Sequence, residues 1–425
     1  MTHQGSSTFP IGSFIHIVIV FRPKNQMTGG TLPGPGVPLF SFASEKAKLI
    51  PGRVERMSNR LLYRIAKPIL FRMDPERAHH LIVDGLGTVS RVPGMRALLS
   101  AAWGVRETPD LAVDLFGLHF SHPVGLAAGL DKNAKAAAGL SSIGLSFLEV
   151  GTVTPRSQPG NELPRLFRLP SDAALINRMG FNNDGADAMV HRLQRMRKHP
   201  IPFAVNIGKN KATPNEQAAS DYRACLQKLY PYGDFFVINI SSPNTPDLRA
   251  LQHGDELSDL LAAVSEEMHL QAERHGDAVK PVLVKIAPDN TDEQLGYMAE
   301  VIMHSGMSGI IATNTTIGRG GLTHRHAREV GGLSGQPLAQ RSTEVIRALY
   351  RLTQGKLPII GSGGIFEAKD AYDKIRAGAS LVEVYTALIY QGPGLLRNLH
   401  KGLRELMKKD GFSRITEAVG ADHRR

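Results

Sequence analysis

The stretch Asp234-Phe-Phe-Val-Ile-Asn-Ile240, followed by Ser241-Ser-Pro-Asn-Thr245, decides the fold. Its apolar run is typical of a strand buried on both faces of a parallel sheet. The polar residues after it would then lie at the carboxyl end of the strand, where barrel enzymes carry their catalytic groups. Taken alone, Ser-Ser-Pro-Asn is more simply a turn. Ser242 becomes a candidate catalytic residue only if the same pattern recurs.

The pattern recurs eight times in all. The short apolar runs that end in polar or glycine residues are Val124–Gly129, Phe147–Thr152, Phe203–Gly208, Phe235–Ser241, Val282–Ala287, Gly309–Thr315, Leu357–Gly363 and Leu381–Thr386. Intervening segments such as Asp255–Glu273 and Thr291–His304 carry apolar residues at helical spacing. Alternating strands and helices predict an α/β fold, a (β/α)8 TIM barrel. An open doubly wound sheet stays an alternative, because a count of strands does not establish closure.

The length leaves room beyond the barrel. A barrel of this kind takes about 250 residues, whereas the chain has 425, of which 42% are hydrophobic and 21% charged, as in an ordinary globular protein. We expect the barrel in residues 105–408 and a C-terminal tail in 409–425. Residues 57–104 are expected to form an amphipathic helical segment. Residues 1–56 are an N-terminal extension, a linker or an artefact of the gene model with Met57 as the true start.

Most of the surplus positive charge precedes the barrel. Residues 1–56 hold six Lys or Arg against two Glu, and residues 57–104 hold seven against three acids, while the whole chain has a net charge of +11. No nucleic-acid motif with interleaved aromatic residues accompanies these charges. The pattern therefore favours an anionic membrane surface, or solubility alone, over nucleic-acid binding.

Two short amphipathic helices are predicted in residues 57–104. The first runs from Met57 to Ala66 and is interrupted by Pro68; the second begins at Asp74-Pro75, an N-cap followed by proline at the first helical position, and continues past Leu81, Ile82 and Leu86. Their apolar faces could lie on a bilayer or pack on the barrel, and periodicity does not separate these alternatives. Before them, Ile11–Phe21 is shorter than the ~20 residues of a transmembrane helix.

The cysteine and glycine residues limit the kinds of metal site and cofactor that the chain is expected to hold. The one cysteine, Cys225, lies in a predicted helix, which excludes an intramolecular disulfide and a Cys-rich iron–sulfur or zinc site. No metal is expected, because the His residues lack metal-ligand spacing. Gly361-Ser-Gly-Gly364 and Tyr385-Thr386 follow the seventh and eighth strands, the usual phosphate site of such barrels, and Gly332-Leu-Ser-Gly335 reads as a further glycine-rich turn. Redox chemistry here would need an organic cofactor with a phosphate group.

Nine motifs together resemble one family. They are Leu126-Ala-Ala-Gly-Leu-Asp-Lys132, Gly151-Thr-Val-Thr-Pro155, Asn177-Arg-Met-Gly-Phe-Asn182, Asn206-Ile-Gly-Lys-Asn-Lys211, Asn239 to Thr245, Lys285-Ile-Ala-Pro-Asp289, Thr313-Asn-Thr-Thr316, Gly331-Gly-Leu-Ser-Gly335 and Gly361-Ser-Gly-Gly364. In this order, from about Leu62 to Gln391, the chain closely resembles the quinone-dependent, class 2 dihydroorotate dehydrogenases. Class 1 enzymes carry a cysteine where this chain has Ser242, and those that use NAD rely on an iron–sulfur partner subunit. The resemblance therefore implies a quinone and no such subunit.

The resemblance implies oxidation of (S)-dihydroorotate to orotate in pyrimidine biosynthesis. A proton leaves C5 and a hydride passes from C6 to FMN, so Ser242 is the implied base, activated through Thr245 and a water path. The implied substrate contacts are Lys132, Asn177, Arg178, Met179, Gly180, Phe181, Asn239, Asn244, Asn314 and Thr315. Each asparagine alone would more simply form a turn; four at strand ends suit a planar ring with donors and acceptors.

The resemblance also assigns the cofactor and the electron acceptor. The implied FMN contacts are Ala127, Ala128, Gly129, Thr152, Asn206, Asn239, Lys285, Thr313, Ser334, Gly335, Gly363, Gly364, Tyr385 and Thr386. Lys285 lies in an apolar strand and would face the flavin, unless its side chain extends outward from the barrel.

A quinone tunnel is implied between the N-terminal helices. His79 and Arg168 would lie at its polar ends and Tyr385 on its border, while Ile389 departs from the threonine of some relatives. A peripheral membrane protein is expected, at the cytoplasmic face of a bacterial inner membrane or, alternatively, at the mitochondrial inner membrane. A silent membrane-binding barrel and a fumarate-using dehydrogenase remain the alternative functions.

Overall fold

A closed barrel of parallel strands forms the body of the protein. The computed structural model describes residues 63–196 and 199–424. A hairpin of β1 (Val113–Leu115) and β2 (Leu118–Phe120) precedes the barrel. The barrel strands are β3 (Val124–Leu126), β4 (Leu148–Val153), β7 (Phe203–Ile207), β8 (Phe235–Asn239), β9 (Val282–Ile286), β10 (Gly309–Ala312), β12 (Ile359–Ser362) and β13 (Leu381–Val384).

The barrel is closed, because the last strand pairs with the first. Val382 of β13 lies opposite Val124 of β3, and every neighbouring pair in the barrel is parallel. The eight predicted strands are thus confirmed, and the open sheet is excluded. All eight carboxyl ends meet at one rim, which brings together the polar residues that follow each strand.

Helices precede the barrel strands, alternate with them and follow the last one. They are α1 (Pro75–Val89), α2 (Met95–Trp103), α3 (Ala137–Leu140), α4 (Ala186–Arg195), α5 (Ala218–Leu229), α6 (Gly254–His275), α7 (Asp292–His304), α8 (Ala339–Leu352), α9 (Ala368–Ala377), α10 (Thr386–Gln391) and α11 (Gly394–Lys409). The start of α7 is encoded locally by a capping box: the Thr291 hydroxyl accepts from the Gln294 N–H at 3.2 Å, and the Gln294 side chain accepts from the Thr291 N–H at 2.9 Å.

The amino-terminal end of the barrel is filled by aromatic rings. Phe120 of the hairpin packs edge-on against Phe147 with ring centroids 5.5 Å apart, and Phe235 lies within 6.5 Å of both. All three side chains are fully buried. The barrel interior is therefore solid at this end, and space for ligands is left at the carboxyl rim.

A small antiparallel sheet covers part of that rim. It consists of β5 (Leu166–Leu169), β6 (Ala174–Asn177) and β11 (Gly332–Gly335), with its own buried cluster around Phe167 and Leu333. The interpretation of Gly332-Leu-Ser-Gly335 as a glycine-rich turn was wrong. The segment is extended, because its backbone pairs with β6.

The N-terminal helices differ from prediction at Pro68. Residues 63–72 are helical without a break, so the predicted interruption was wrong. Proline removes one backbone hydrogen bond, and packing of Phe71 edge-on against Tyr390, at 5.3 Å, holds the helix beyond it. α1 begins as predicted, with the Asp74 carboxylate accepting from the N–H groups of Glu76 and Arg77. Residues 1–62, including the apolar stretch 11–21, lie outside the described residues.

The segment after α11 packs on the barrel. The Ile415 N–H donates to the Asp110 carbonyl at 2.8 Å, and Arg376 of α9 pairs with Asp422 at 2.9 Å. Ile415 and Ala418 are buried. The described part of the predicted tail is therefore an integral part of the fold.

Candidate active site

One cavity at the carboxyl rim collects nearly all of the predicted site residues. Those that line it are His79, Ala127, Ala128, Gly129, Lys132, Thr152, Asn177, Met179, Gly180, Phe181, Asn239, Ser242, Asn244, Lys285, Thr313, Asn314, Thr315, Ser334, Gly335, Gly363, Gly364, Tyr385 and Thr386. They come from every barrel strand except β7, from the small sheet and from α1. Residues far apart in sequence meet because the strands are parallel and the barrel is closed.

Ser242 lies on a well-anchored turn after β8. The Tyr222 hydroxyl donates to the Asn239 carbonyl at 3.0 Å, and the Asn244 N–H donates to Ser242 Oγ at 3.2 Å. Ser242 is buried and lines the cavity. Its hydroxyl oxygen accepts one hydrogen bond, and no histidine or carboxylate bonds to it among the described residues. A base here would depend on water and substrate rather than on a catalytic triad. The buried hydroxyl of Thr245 has no partner among the described residues, which suits a place on a proton path.

The predicted asparagines form two hydrogen-bonded groups, which together are called the asparagine network. The Asn244 amide donates to Asn177 Oδ1 at 3.1 Å, and the Asn314 amide donates to Asn239 Oδ1 at 3.3 Å and to Ser241 Oγ at 3.0 Å. The Asn239 amide donates in turn to Thr152 Oγ1 at 2.8 Å. Each amide is thereby held in one orientation. The cavity wall presents fixed donors and acceptors to a planar polar ring.

Arg249 ties the Ser242 turn to the neighbouring loop. Its guanidinium donates to the Ser241 carbonyl at 3.1 Å, to Asp289 Oδ2 at 2.9 Å and to the Thr315 carbonyl at 3.0 Å. Asp289 also accepts from the Thr316 hydroxyl and from the Ile317 N–H. The local sequence around Arg249 did not predict this clamp. It fixes the separation between the residues that follow β8 and those that follow β10.

Lys285 points into the barrel interior, so an outward extension of its side chain is excluded. Its ammonium group donates to Glu149 Oε2 at 2.6 Å and lies 3.4 Å from Glu383 Oε2, and both glutamate side chains are fully buried. Burial alone would lower the pKa of Lys285, but the two carboxyl groups outweigh it and raise that pKa. The lysine is therefore charged. Both glutamates were missed, although each stands as a single acid inside an apolar strand.

Lys132 is the second cation of the cavity, and its environment is different. Its ammonium group donates to Asn182 Oδ1 at 2.5 Å. Burial lowers the pKa of Lys132 to about 7, and the charge of Glu76 only partly compensates. Glu76 itself is held by Arg165, at 2.7 Å. An incoming carboxylate would supply the missing counter-charge, which suits a contact to an anionic ligand.

A glycine cradle lies in the cavity wall between the small sheet, the start of α8 and the end of β12. Gly335 and Gly364 have positive φ angles of 105° and 72°. A Cβ atom on Gly364 would lie 2.4 Å from Ala339 Cα, so only glycine fits there. Beside it, the hydroxyls of Ser334 and Thr386 are 2.9 Å apart. Small residues and hydroxyls with accessible backbone N–H groups are suited to a phosphate group.

Three predicted residues lie outside the cavity wall. Arg178 faces away, with its guanidinium 2.8 Å from Glu329 Oε2 and over the Phe167 ring, because it alternates with Asn177 after β6. Asn206 is buried behind the wall and orients Thr152 and Glu149 through its amide. Arg168 donates to the Met73 carbonyl at 2.8 Å and covers the Phe71 ring. Roles for Arg178 in substrate binding and for Asn206 in cofactor binding stay predictions, because neither side chain lines the cavity in this structure.

The comparisons with known proteins agree with this geometry. The family model described as dihydroorotate dehydrogenase matches residues 110–407. A dihydroorotate dehydrogenase (quinone) of Deinococcus deserti is 54% identical over 84% of this chain and 99% of the relative, and one of Deinococcus radiodurans is 50% identical over 84% and 100%. The crystal structure of the Eimeria tenella dihydroorotate dehydrogenase with ferulenol superimposes with a TM-score of 0.75 at 40% identity, covering 83% of this chain and 96% of that one.

This chain belongs to the quinone-dependent dihydroorotate dehydrogenases. The resemblance drawn from the nine motifs is thus confirmed, and with it a flavin as the cofactor class. The alternative function, a membrane-binding barrel without catalytic activity, is excluded.

The residues of the cavity fit the flavin that this family uses. Thr313 Oγ1 is buried at the cavity wall without a partner among the described residues, which leaves it free for a ligand. Lys285 supplies a fixed positive charge and the glycine cradle a place for a phosphate. The wall therefore offers separate contacts for a flavin ring and for its phosphate.

The N-terminal helices of this family member have two different apolar faces. Ala78 and Val83 of α1 and Leu99 of α2 are buried. Other apolar side chains of the same segment are between 41% and 62% exposed: Ile65, Ile69, Leu81, Ile82, Val92 and Leu98. One face packs on the protein and the other lies open, so packing on the barrel holds for the first face, and contact of the second with a bilayer stays a prediction. Within the described ranges, every helix is too short or too polar to cross a bilayer.

Two histidines of α1 sit at the junction of this segment with the cavity. His79 lines the cavity, and burial followed by the charge of Lys132 lowers the pKa of His79 to about 3. It is neutral at physiological pH and can donate one hydrogen bond and accept another. His80 lies next to it on the exposed side.

Proposed function

We propose that this protein oxidises dihydroorotate to orotate with FMN as its flavin and a membrane quinone as the electron acceptor, using the residues assigned here. The observation that carries the proposal is the shared cavity: the Ser242 turn, the asparagine network, Lys285 and the glycine cradle all line it. Such a site can hold a carboxylated pyrimidine against a flavin. FMN supplies the hydride acceptor for C6 of the substrate.

Substrate binding falls to Lys132 and the asparagines. Lys132 would pair with the substrate carboxylate, which restores the charge that burial disfavours. The amides of Asn177, Asn239, Asn244 and Asn314 would bond the ring carbonyl and N–H groups. The orientation of each amide is already fixed by its neighbour, so little rotational freedom is lost on binding.

Proton removal falls to Ser242. Its Oγ would take the proton from C5 as the C6 hydride leaves, and the proton would pass on toward the buried Thr245 hydroxyl. Asn244 N–H holds Oγ in place, and Arg249 holds the turn. General-base catalysis of this kind strengthens with pH, because a serine hydroxyl is a weak base at neutrality.

FMN would be held by two groups of residues. The ring would contact Ala127, Ala128, Thr152, Lys285 and Thr313, with the Lys285 ammonium at its polar edge. Ser334, Gly335, Gly363, Gly364, Tyr385 and Thr386 would hold the ribityl phosphate.

The quinone would enter through the N-terminal helices. His79 would bond a quinone oxygen from its position at the cavity wall, and Arg168 would mark the outer polar end beside Phe71 and Tyr390. Tyr63 donates to the Ile389 carbonyl, which joins the helical residues 63–72 to α10. The open apolar face would lie on the membrane, peripherally, at the cytoplasmic face of a bacterial inner membrane. No iron–sulfur partner subunit is expected.

The test is an assay of dihydroorotate oxidation with a quinone, fumarate and NAD in parallel, on protein whose flavin has been released and identified. Activity with the quinone alone and release of FMN support the proposal. Release of FAD would contradict the cofactor assignment, and faster turnover with fumarate or NAD would contradict the acceptor.

A further inference from the structure

Glu383 is a buried acid in the cavity wall to which the proposed mechanism gives no role. It lies on β13, lines the cavity, and its side chain is fully buried. One oxygen lies 3.4 Å from the Lys285 ammonium, and the other, Oε1, has no hydrogen-bond partner among the described residues. A buried ionised carboxylate with a free oxygen is costly, so this arrangement demands an explanation.

Glu149, the other acid beside Lys285, is a well-stabilised carboxylate. Its oxygens accept from the Lys285 ammonium, from the Ala128 N–H and from the Asn206 amide, each at 2.6 Å. Glu383 has one long contact to the same ammonium. One lysine thus serves two buried acids, and two like charges so close together do not both ionise. The proton belongs on Glu383, because Glu149 has three donors and Glu383 has one.

We propose that Glu383 carries a proton at neutral pH, and that its ionisation sets the net charge which Lys285 and its two acids present to the bound flavin. This inference rests on the proposed FMN site. With Glu383 neutral, Lys285 and Glu149 cancel and the cluster has no net charge. With Glu383 ionised the cluster carries one negative charge, which disfavours the addition of electrons to the flavin.

The surroundings of Glu383 support this assignment. Burial, followed by the charge of Glu149, raises the pKa of Glu383 to about 8, and Lys285 opposes the rise. Its neighbours in register, Gly125 on β3 and Ser362 on β12, are uncharged. Lys374 of α9 is also buried but donates to the Ala339 carbonyl and the Thr343 hydroxyl. Tyr385, whose pKa burial raises to about 12, stays neutral. Lys285 and Glu149 are thus the charges that govern Glu383 within the described residues.

Two consequences follow for pH. Above about pH 8 the midpoint potential of the bound flavin falls more steeply with pH, because one further proton is taken up on reduction. For stability, a folded-state pKa of about 8 exceeds the usual value of 4.5. The folded state therefore binds more protons between these values, and the stability that Glu383 contributes at low pH is lost as the pH rises toward 8.

The experiment compares the full-length wild type with Glu383→Gln, which keeps the shape and removes the acid. The control is Glu267→Gln, since Glu267 is equally buried on α6 but bonds to Gln227 and Gln271 away from the cavity. Infrared spectra at pH 7 and potentiometric titration from pH 6 to 9 are the two measurements.

The wild type and the control are expected to show a protonated-carboxyl band that Glu383→Gln lacks. Above about pH 8, the flavin midpoint potential of the wild type and the control should fall more steeply with pH, by the slope that corresponds to one further proton per two electrons. Glu383→Gln should show no such break. The inference is overturned if Glu383→Gln keeps the protonated-carboxyl band, or if its midpoint potential shows the same break with pH as the wild type. If Glu383→Gln does not fold, labelling of glutamate carboxyls and pH titration of the wild-type band decide the question. The infrared test also works on flavin-free protein, so an error in the FMN assignment would be seen separately.

Discussion

The cavity at the barrel rim and the N-terminal helical segment use apolar and charged residues in opposite ways. In the cavity, charged side chains are buried and held by one another, as Lys285 is by Glu149. In the N-terminal segment, leucine and isoleucine side chains such as Leu81 and Ile82 are about half exposed. Burial of charge costs stability and is retained where chemistry needs it, whereas exposed apolar side chains suit a partner surface. This difference supports our proposal that substrate oxidation and quinone access are carried by separate regions.

The largest effect is expected from Ser242→Ala. Loss of a general base costs roughly 10²–10⁴-fold in rate, so reduction of the flavin by dihydroorotate should slow by this factor while flavin content stays normal. Rapid-mixing absorbance of the flavin measures it, with Ser220→Ala on the exposed side of α5 as the control. The wild-type rate should rise toward alkaline pH. Near-normal reduction in Ser242→Ala would remove this residue from the mechanism.

Lys285→Ala is expected to damage stability as well as flavin binding. It leaves two buried acids without a cation, and breaking a buried pair costs about 3–5 kcal/mol. Urea unfolding and the flavin content of the purified protein measure the two effects. The double variant Lys285→Ala with Glu149→Gln should recover part of the stability, because Glu149 is the ionised partner of Lys285. Equal stability of the single and double variants would show that the loss does not come from this buried pair.

Arg249→Gln should slow turnover without loss of flavin. Hydrogen bonds to charged groups contribute about 1.5–3 kcal/mol, which corresponds to roughly a 10- to 100-fold fall in kcat/KM if the clamp positions the Ser242 turn. Asp289→Asn should show a smaller fall in the same direction. Arg223→Gln is the control, because Arg223 pairs with Glu266 on the surface. Equal kinetics for Arg249→Gln and this control would show that the clamp is structural only.

A smaller, pH-dependent effect is expected from Lys132. Because its pKa is lowered to about 7, the ammonium that binds a carboxylate is lost as the pH rises above that value. Orotate affinity should then fall by up to about tenfold per pH unit. Lys132→Gln should bind weakly at every pH. Calorimetric titration between pH 6 and 9 measures both, and a flat wild-type profile would contradict the assignment.

The barrel was predictable because its strands are short runs of consecutive apolar residues with polar ends. The run Phe235 to Asn239, for example, has the length of a strand, and its recurrence along the chain separates it from a buried helix segment. The small sheet was not predictable, since Gly332-Leu-Ser-Gly335 has the composition of a turn and becomes extended only through pairing with β6. Pro68 was misleading for a similar reason, because contacts of Phe71 with Tyr390 lie outside the local sequence.

The candidate site also has a part that the sequence predicts and a part that it does not. Polar residues at strand ends could be predicted to meet in one cavity, because parallel strands bring those ends together. Glu149 and Glu383 could have been noticed as acids inside apolar strands, but their sharing of one lysine depends on barrel closure. Arg249 gave no local signal, since its three acceptors follow three different strands. Arg178 shows a different limit, because the motif beside Asn177 gives no signal that the Arg178 side chain pairs with Glu329.

The central claim is that the barrel carries substrate oxidation and the N-terminal helices carry quinone access. The most direct test is the pair of half-reactions, measured by rapid mixing on lipid vesicles that contain quinone, for the full chain with Leu81→Ser and Ile82→Ser together. Each side chain contributes up to about 1.5–3 kcal/mol when fully buried, so a partial loss from both should lower vesicle binding and reoxidation of the flavin by about tenfold. Reduction by dihydroorotate should be unchanged. Unchanged reoxidation with normal vesicle binding, or an equal loss in both half-reactions, would contradict the claim.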